Sequence, residues 1–142
     1  MAKLKIDLPE LFAFSTTLKL RITDINYGSH LGNDALLSLL HEARMRFLNS
    51  YNCSELDCLG RGLIMRSIQL EYKAQAVYGD ELTFYAAVSE LERTGFELLF
   101  KVVNQHGTEV ARAANGMVFF DYEKGKVCRT PDSFTAVFKL ES

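Results

Sequence analysis

The sequence predicts an α+β domain in which one long helix packs against a curved antiparallel sheet. Three observations predict it. Leu36, Leu39, Leu40, Ala43, Phe47, Leu48 and Tyr51 recur at helical spacing, in the only long helical pattern of the chain. Extended segments with apolar–polar alternation lie before and after that helix. The later ones are joined by short turns rich in Gly, Asn and Asp, the punctuation of antiparallel strands and not of helical crossovers.

Bulk properties narrow the class. A chain of 142 residues, 48% hydrophobic and 24% charged, suits one domain with a real core. A net charge of −2 gives no basic face for nucleic acid. No run reaches the ~18 apolar residues of a membrane span. The N-terminal MAKLKIDLPELFAF has no uninterrupted apolar leader pattern, so a cytoplasmic protein is the expectation. Cys53, Cys58 and Cys128 are odd in number and form no CxxC pair, so reduced thiols are expected, not a disulfide framework or a zinc site.

Taken in order, residues 1–11 read as a mobile arm closed by Pro9. From Phe12 to Ile25 the chain is extended, with Thr16, Leu18, Leu20 and Ile22 on one face. Tyr27-Gly28-Ser29 breaks this pattern, and Gly32-Asn33-Asp34 starts the helix. Asn and Asp there suit N-caps, because their side chains accept bonds from unpaired first-turn N–H groups. The wide apolar stripe predicts a helix wrapped on more than one side. Leu56–Gly62 reads as a turn or a fragment of helix. Strands follow over Leu63–Ala74, Glu81–Leu91, Phe96–Asn104 and Glu109–Tyr122, with turns at 77–80, 93–95, 105–107 and 123–126. Ser133–Phe138 is a short terminal helix. No repeat or linker divides the chain, which gives a single domain over 1–142.

Polar groups capable of chemistry gather ahead of the helix: Asp24, Asn26, His30, Asn33 and Asp34 fall within eleven positions. A helix N-terminus offers unpaired N–H donors and partial positive charge, so this stretch suits a carbonyl oxygen or an anion.

Three local sequences carry a family resemblance. DINYGSHLGNDALL from Asp24 resembles the D-x-D-x-x-G-H-V-N-N-x-x-Y signature of the 4-hydroxybenzoyl-CoA thioesterase-like branch of hotdog-fold thioesterases. His41-Glu42-Ala43-Arg44 is similar to the E-x-A-R sequence within that branch's central helix. YKAQAVYGDEL from Tyr72 is similar to its Y-x-x-P-x-x-x-G-D-E-L, with Ala74-Gln75 where proline is common. The resemblance spans residues 12–132. It implies a hotdog fold of about five strands around one central helix, an acyl-CoA or acyl-carrier-protein thioesterase, and no cofactor beyond the coenzyme A of the substrate. It also implies a homodimer or homotetramer in which neighbouring sheets join and the site lies at the interface.

Carried over residue by residue, the resemblance sets Asp24 on the first Asp, Asn33 on the second Asn, and Asn26 on the second Asp. In many members that second Asp attacks the thioester or activates water; an amide does neither. The candidates for activation are therefore His30, Asp24 and Glu42, the last by analogy with another hotdog branch that uses a helix Glu. An unperturbed imidazole suits proton transfer near neutrality, which makes His30 a candidate base; as a turn residue it would instead fix the loop. Asn26 either orients water or forms the turn. Asn33 and Asp34 would present first-turn N–H groups to the carbonyl, each such donor being worth roughly 3 kcal/mol of barrier. Tyr27 would line an acyl pocket. Arg66, with Arg61 and Lys73, would meet coenzyme A phosphates. Two further readings remain: an enoyl-CoA hydratase or dehydratase, whose D-x-N-P-x-H motif superficially resembles Asp24–His30, and a silent acyl-binding protein, which the amide at position 26 favours.

Overall fold

The computed structural model describes residues 4–138. Along the chain run β1 (Phe14–Lys19), a 3₁₀ turn (Ile22–Asp24), α1 (Asn33–Asn49), β2 (Gly62–Tyr72), β3 (Glu81–Glu92), β4 (Gly95–Val103), β5 (Glu109–Asp121), the two-residue β6 (Lys126–Val127) and α2 (Phe134–Val137). The antiparallel sheet has the order β1-β3-β4-β5-β2, with β6 on β5. Register shifts at Met65/Ser67, Val88/Glu90 and Val102/Val103 each insert a residue and curl the sheet around α1. This is the α+β architecture expected, and β6 is the strand the sequence reading gave to a turn.

The core lies between α1 and the concave face. Leu36, Leu39, Leu40, Ala43, Phe47 and Leu48 of the helix are buried there. Large and small side chains alternate across the strands: Phe100 pairs with Ala86 on one side and Ala113 on the other, which leaves room for the ring beneath the helix. Phe96, Phe119, Phe134 and Phe138 close one end, with the Phe134 and Phe138 rings 4.9 Å apart. The opposite face of α1 is exposed at Asn33, Asp34, Leu37, Ser38, His41 and Glu42, so within one chain the helix is covered on one side only.

Several boundaries differ from the sequence reading for local reasons. β1 ends at Lys19, and Leu20, just past it, is buried as expected. Asp24 captures the Arg21 backbone N–H at 2.8 Å and winds the chain into the 3₁₀ turn, leaving Ile22 71% exposed and not on the core face. Leu56–Gly62 holds no helix: Cys58 and Arg61 exchange backbone bonds around Gly60, whose φ of +89° suits glycine. The expected arm lacks regular structure, but from residue 4 it lies on the outer sheet face. There Ile6 is buried against Leu99 and Ala114. Its N–H donates to Glu71 at 3.0 Å, and its carbonyl accepts from Arg112 at 2.8 Å.

Candidate functional site

The loop between β1 and α1 is built around Asn26. Its side-chain oxygen accepts the backbone N–H groups of Gly28 (2.9 Å) and His30 (3.3 Å), while its own N–H donates to the His30 carbonyl at 2.8 Å. This is an Asx-type turn, the reason Asn is favoured in such loops. Ser29, at its tip, takes a left-handed φ of +67°. Leu31 pairs with Ile25 and donates to the Ala76 carbonyl, and Gly32 donates to the Asp24 carbonyl at 3.0 Å. The loop is thereby tied both to the 3₁₀ turn and to the β2–β3 connection.

Helix α1 then starts without a side-chain cap. The N-cap is Gly32, and the first helical bond runs from Leu36 N–H to the Gly32 carbonyl at 3.0 Å. The capping expected of Asn33 and Asp34 is therefore corrected: both lie inside the first turn, one and two residues past the cap position. Among the described residues the N–H groups of Asn33, Asp34 and Ala35 have no partner. The donors open to an incoming oxygen sit beside the braced loop, at the positive end of the helix dipole.

The remaining candidates separate. Asp24 is buried, and its carboxylate is held by the Arg21 backbone N–H and by the guanidinium at 3.3 Å, so its oxygens are committed. Glu42 lies nine residues, roughly 13 Å, along the helix from Asn33. It is exposed and accepts a 2.9 Å bond from Arg46, one turn on; the apolar surroundings expected of it are absent. The His30 imidazole is half-buried and makes no hydrogen bond among the described residues. Tyr27 is wholly exposed. Arg66 sits at the β2 bulge, exposed and 4.0 Å from Glu92. It is six residues, roughly 20 Å of strand, from Tyr72, which stands beside the helix start.

Two separate concavities lie beside α1. One, of about 340 Å³, is lined by Leu31, Asn33, Tyr72, Lys73, Ala74 and Val110 at the helix start. A second, of about 290 Å³, lies further along between Leu37, Ser38 and His41 on one side and Met65 and Ile68 on the other. Arg44 forms part of its wall although its side chain is only 6% exposed. Its guanidinium donates to Glu55 at 2.9 Å and to the Asn115 side-chain oxygen at 3.0 Å, and His41 reaches the other Glu55 oxygen at 2.7 Å. Burial pushes the Glu55 carboxyl up, but the bond from His41 and the charge of Arg44 outweigh it and hold it below its ordinary range. The Asn115 amide nitrogen is buried without a partner among the described residues.

A family model, the thioesterase-like superfamily, matches residues 20–138. The chain belongs to the thioesterase-like superfamily. No curated protein matches it. Solved structures share the fold of this superfamily member at low identity. An Aquifex aeolicus hypothetical protein is 20% identical with a TM-score of 0.79, covering 89% of this chain and 99% of its own. A 1,4-dihydroxy-2-naphthoyl-CoA thioesterase from Synechocystis is 19% identical with a TM-score of 0.77, covering 87% and 94%. A Thermus thermophilus thioesterase complexed with coenzyme A and Zn is 19% identical with a TM-score of 0.78, covering 90% and 98%. The fold is the hotdog fold.

In this thioesterase-like chain the Arg44–Glu55–Asn115 cluster is what sequence reasoning passed over. In the sequence Arg44 figures only as the end of the His41-Glu42-Ala43-Arg44 likeness. Its signal was positional: it lies four residues after Leu40, so the helical period sets a charge on the buried face. Asn115, amid an alternating alanine-rich strand, carried the complementary signal of a polar side chain at an inward register.

Proposed function

We propose that the protein hydrolyses a thioester of coenzyme A or of an acyl carrier protein, working as a homodimer or homotetramer. The observation that carries this reading is the uncapped start of α1. Three free N–H groups, of Asn33, Asp34 and Ala35, face outward beside a loop held in one shape by Asn26. Donors that need no rearrangement stabilise charge developing on a thioester carbonyl oxygen more than they stabilise the ground state. The concavities beside α1 offer the acyl group apolar walls, Leu31 in one and Leu37 and Ile68 in the other. Lys73, which lines the first and pairs with Glu71 at 3.3 Å, is the cation nearest the helix start in that lining.

The support for the oligomer is β2. This strand of 11 residues stands at the end of the sheet order, and its outer edge is engaged at Leu63, by the Glu55 carbonyl and the Tyr122 hydroxyl, and pairs with no further strand among the described residues. Pairing with β2 of a second copy continues the ladder and covers the flank of α1, in a self-complementary contact of the kind two-fold dimers use. A second reading, an acyl-binding protein without turnover, is favoured by one observation: the Asn26 side chain is an amide whose oxygen is consumed by the loop. Thiol release from a panel of aliphatic and aromatic acyl-CoAs, followed with a thiol reagent, separates the two. Turnover is expected for at least one acyl class. Saturable binding of acyl-CoA with no thiol released from any member would replace hydrolysis by the silent reading.

A further inference from the structure

We infer that the second concavity beside α1 is a subsite for an oxygen carried part-way along an aliphatic acyl chain, a hydroxyl or keto oxygen, with Arg44 and Ser38 as the donors that recognise it. This rests on the thioester hydrolase reading above and narrows its substrate class. Leu37, His41 and Arg44 fall at i, i+4 and i+7, so they share one helix face. They line this space of about 290 Å³ together with Ser38, Met65 and Ile68.

Arg44 is the central feature. The residue is only 5% exposed, yet it forms part of the wall. Its Nε is spent on Glu55, and its Nη1 on the Asn115 oxygen and the Met65 sulfur. Nη2 makes no hydrogen bond among the described residues. Nor is it sealed in: among the described residues the Asn115 amide nitrogen is the one enclosed side-chain nitrogen or oxygen without a partner. A guanidinium pinned on two sides thus keeps its third nitrogen accessible, and the open space that Arg44 borders is this concavity. On the same wall the exposed Ser38 hydroxyl also makes no hydrogen bond among the described residues.

The arrangement selects the ligand's chemistry. Arg44 and His41 both already bond to Glu55, at 2.9 and 2.7 Å, so a second carboxylate would stand beside the first without a cation of its own. Nη2 offers a single nitrogen and not the two-pronged edge that a carboxylate takes from an arginine. A neutral acceptor oxygen meets both conditions. The walls around it, Leu37, Met65 and Ile68, are aliphatic or thioether and suit a flexible chain. Ser38 and His41 lie three and six residues beyond Ala35, roughly 5 and 9 Å along the axis, which sets the oxygen several bonds beyond a thioester carbonyl at the helix start.

The test is a ratio: kcat/KM for a hydroxy or keto acyl-CoA over that for the plain saturated acyl-CoA of equal length, with the oxygen stepped along the chain. Both substrates are read on one enzyme sample, so the ratio does not move when a substitution at Arg44 lowers the folded fraction. The natural protein is expected to prefer the oxygenated chain by about tenfold or more at one position, the scale of a hydrogen bond to a charged donor. The chain ending in a carboxylate, and hydroxybenzoyl-CoA, are expected to fall below it. Ser38→Ala should cut the preference about threefold, as for a neutral hydrogen bond, without lowering the melting temperature. Arg44→Lys keeps a cation for Glu55 but loses the planar fork, and should bring the ratio to within about twofold of one. A ratio near one at every position in the natural protein overturns the subsite and leaves hydrolysis standing. So does a carboxylate chain or hydroxybenzoyl-CoA that outruns the rest, or a preference that survives both substitutions. If no acyl-CoA is turned over, the same ratio is read from dissociation constants by calorimetry. A preference lost in Arg44→Lys then keeps the subsite while the hydrolase reading falls; a ratio near one ends both.

Discussion

Arg44→Leu isolates the most costly polar arrangement in the fold. The guanidinium is buried, and it satisfies Glu55 through Nε and Asn115 through Nη1. Removing it strands the Asn115 side-chain oxygen in a residue with no exposed surface. Such an unpaired buried acceptor costs about 1–3 kcal/mol. Glu55 loses its charged partner but stays 22% exposed at the side chain and keeps His41. It can recover part of its solvation, so that loss stays near the lower end of charged hydrogen bonds, ~1–2 kcal/mol. Together the change should destabilise by about 2–5 kcal/mol, or roughly 5–15 °C in a chain of this size. The second arm of the experiment tests the reason. Among the described residues the buried Asn115 amide nitrogen has no partner even in the natural protein, so Arg44 is what holds this side chain in the core. Adding Asn115→Val to Arg44→Leu removes the stranded oxygen and the orphan nitrogen at once. The double variant should be more stable than Arg44→Leu by about 1 kcal/mol or more. Urea unfolding of the four members of the cycle gives the answer. If Arg44→Leu lies within about 0.5 kcal/mol of the natural chain, or if Asn115→Val costs the same with and without Arg44, the two residues are not a unit and the reasoning fails.

Two further outcomes follow from the loop and from the same cluster. Ser29 holds φ +67°, which costs a non-glycine residue about 1–2 kcal/mol, while glycine loses some of that advantage in the unfolded chain; Ser29→Gly should gain about 0.5–1 kcal/mol in the denaturant midpoint. A loss of stability would mean that the Ser29 side chain does something the turn geometry does not reveal. Glu55 binds its proton less readily in the folded state than at its ordinary value of 4.5. Its contribution is therefore present above that value and disappears as pH falls through the depressed folded one. Melting temperatures from pH 6 downward should fall less steeply below about pH 4.5 in Glu55→Gln, which starts less stable, than in the natural chain. Parallel slopes would place the acid sensitivity elsewhere.

What the sequence made legible, and what it did not, divides along one physical line. Elements with one buried face announce themselves by period, and the strands over 63–74, 81–91, 96–104 and 109–122 fell within a few residues of β2 to β5. Leu20 was buried as its alternation required, whereas Ile22 was not. Alternation continued in the letters after the backbone had turned, because Asp24 bonded to Arg21 instead of letting the strand run on. The candidate site follows the same division. The helix start at its centre was legible, since Gly, Asn and Asp before an apolar period mark one. The roles within it were not, because they depend on where the oxygens of five neighbouring polar residues turn. Composition makes Asn33 and Asp34 good caps and Asn26 an open question. Three-dimensional space reverses this: the Asn26 oxygen is spent on two backbone N–H groups, Gly32 takes the cap position, and Asp34 is left without a partner. A loop that satisfies itself through an amide leaves Asp34 unpaired among the described residues, and a one-letter reading of position 26 as a lost acid does not see that exchange.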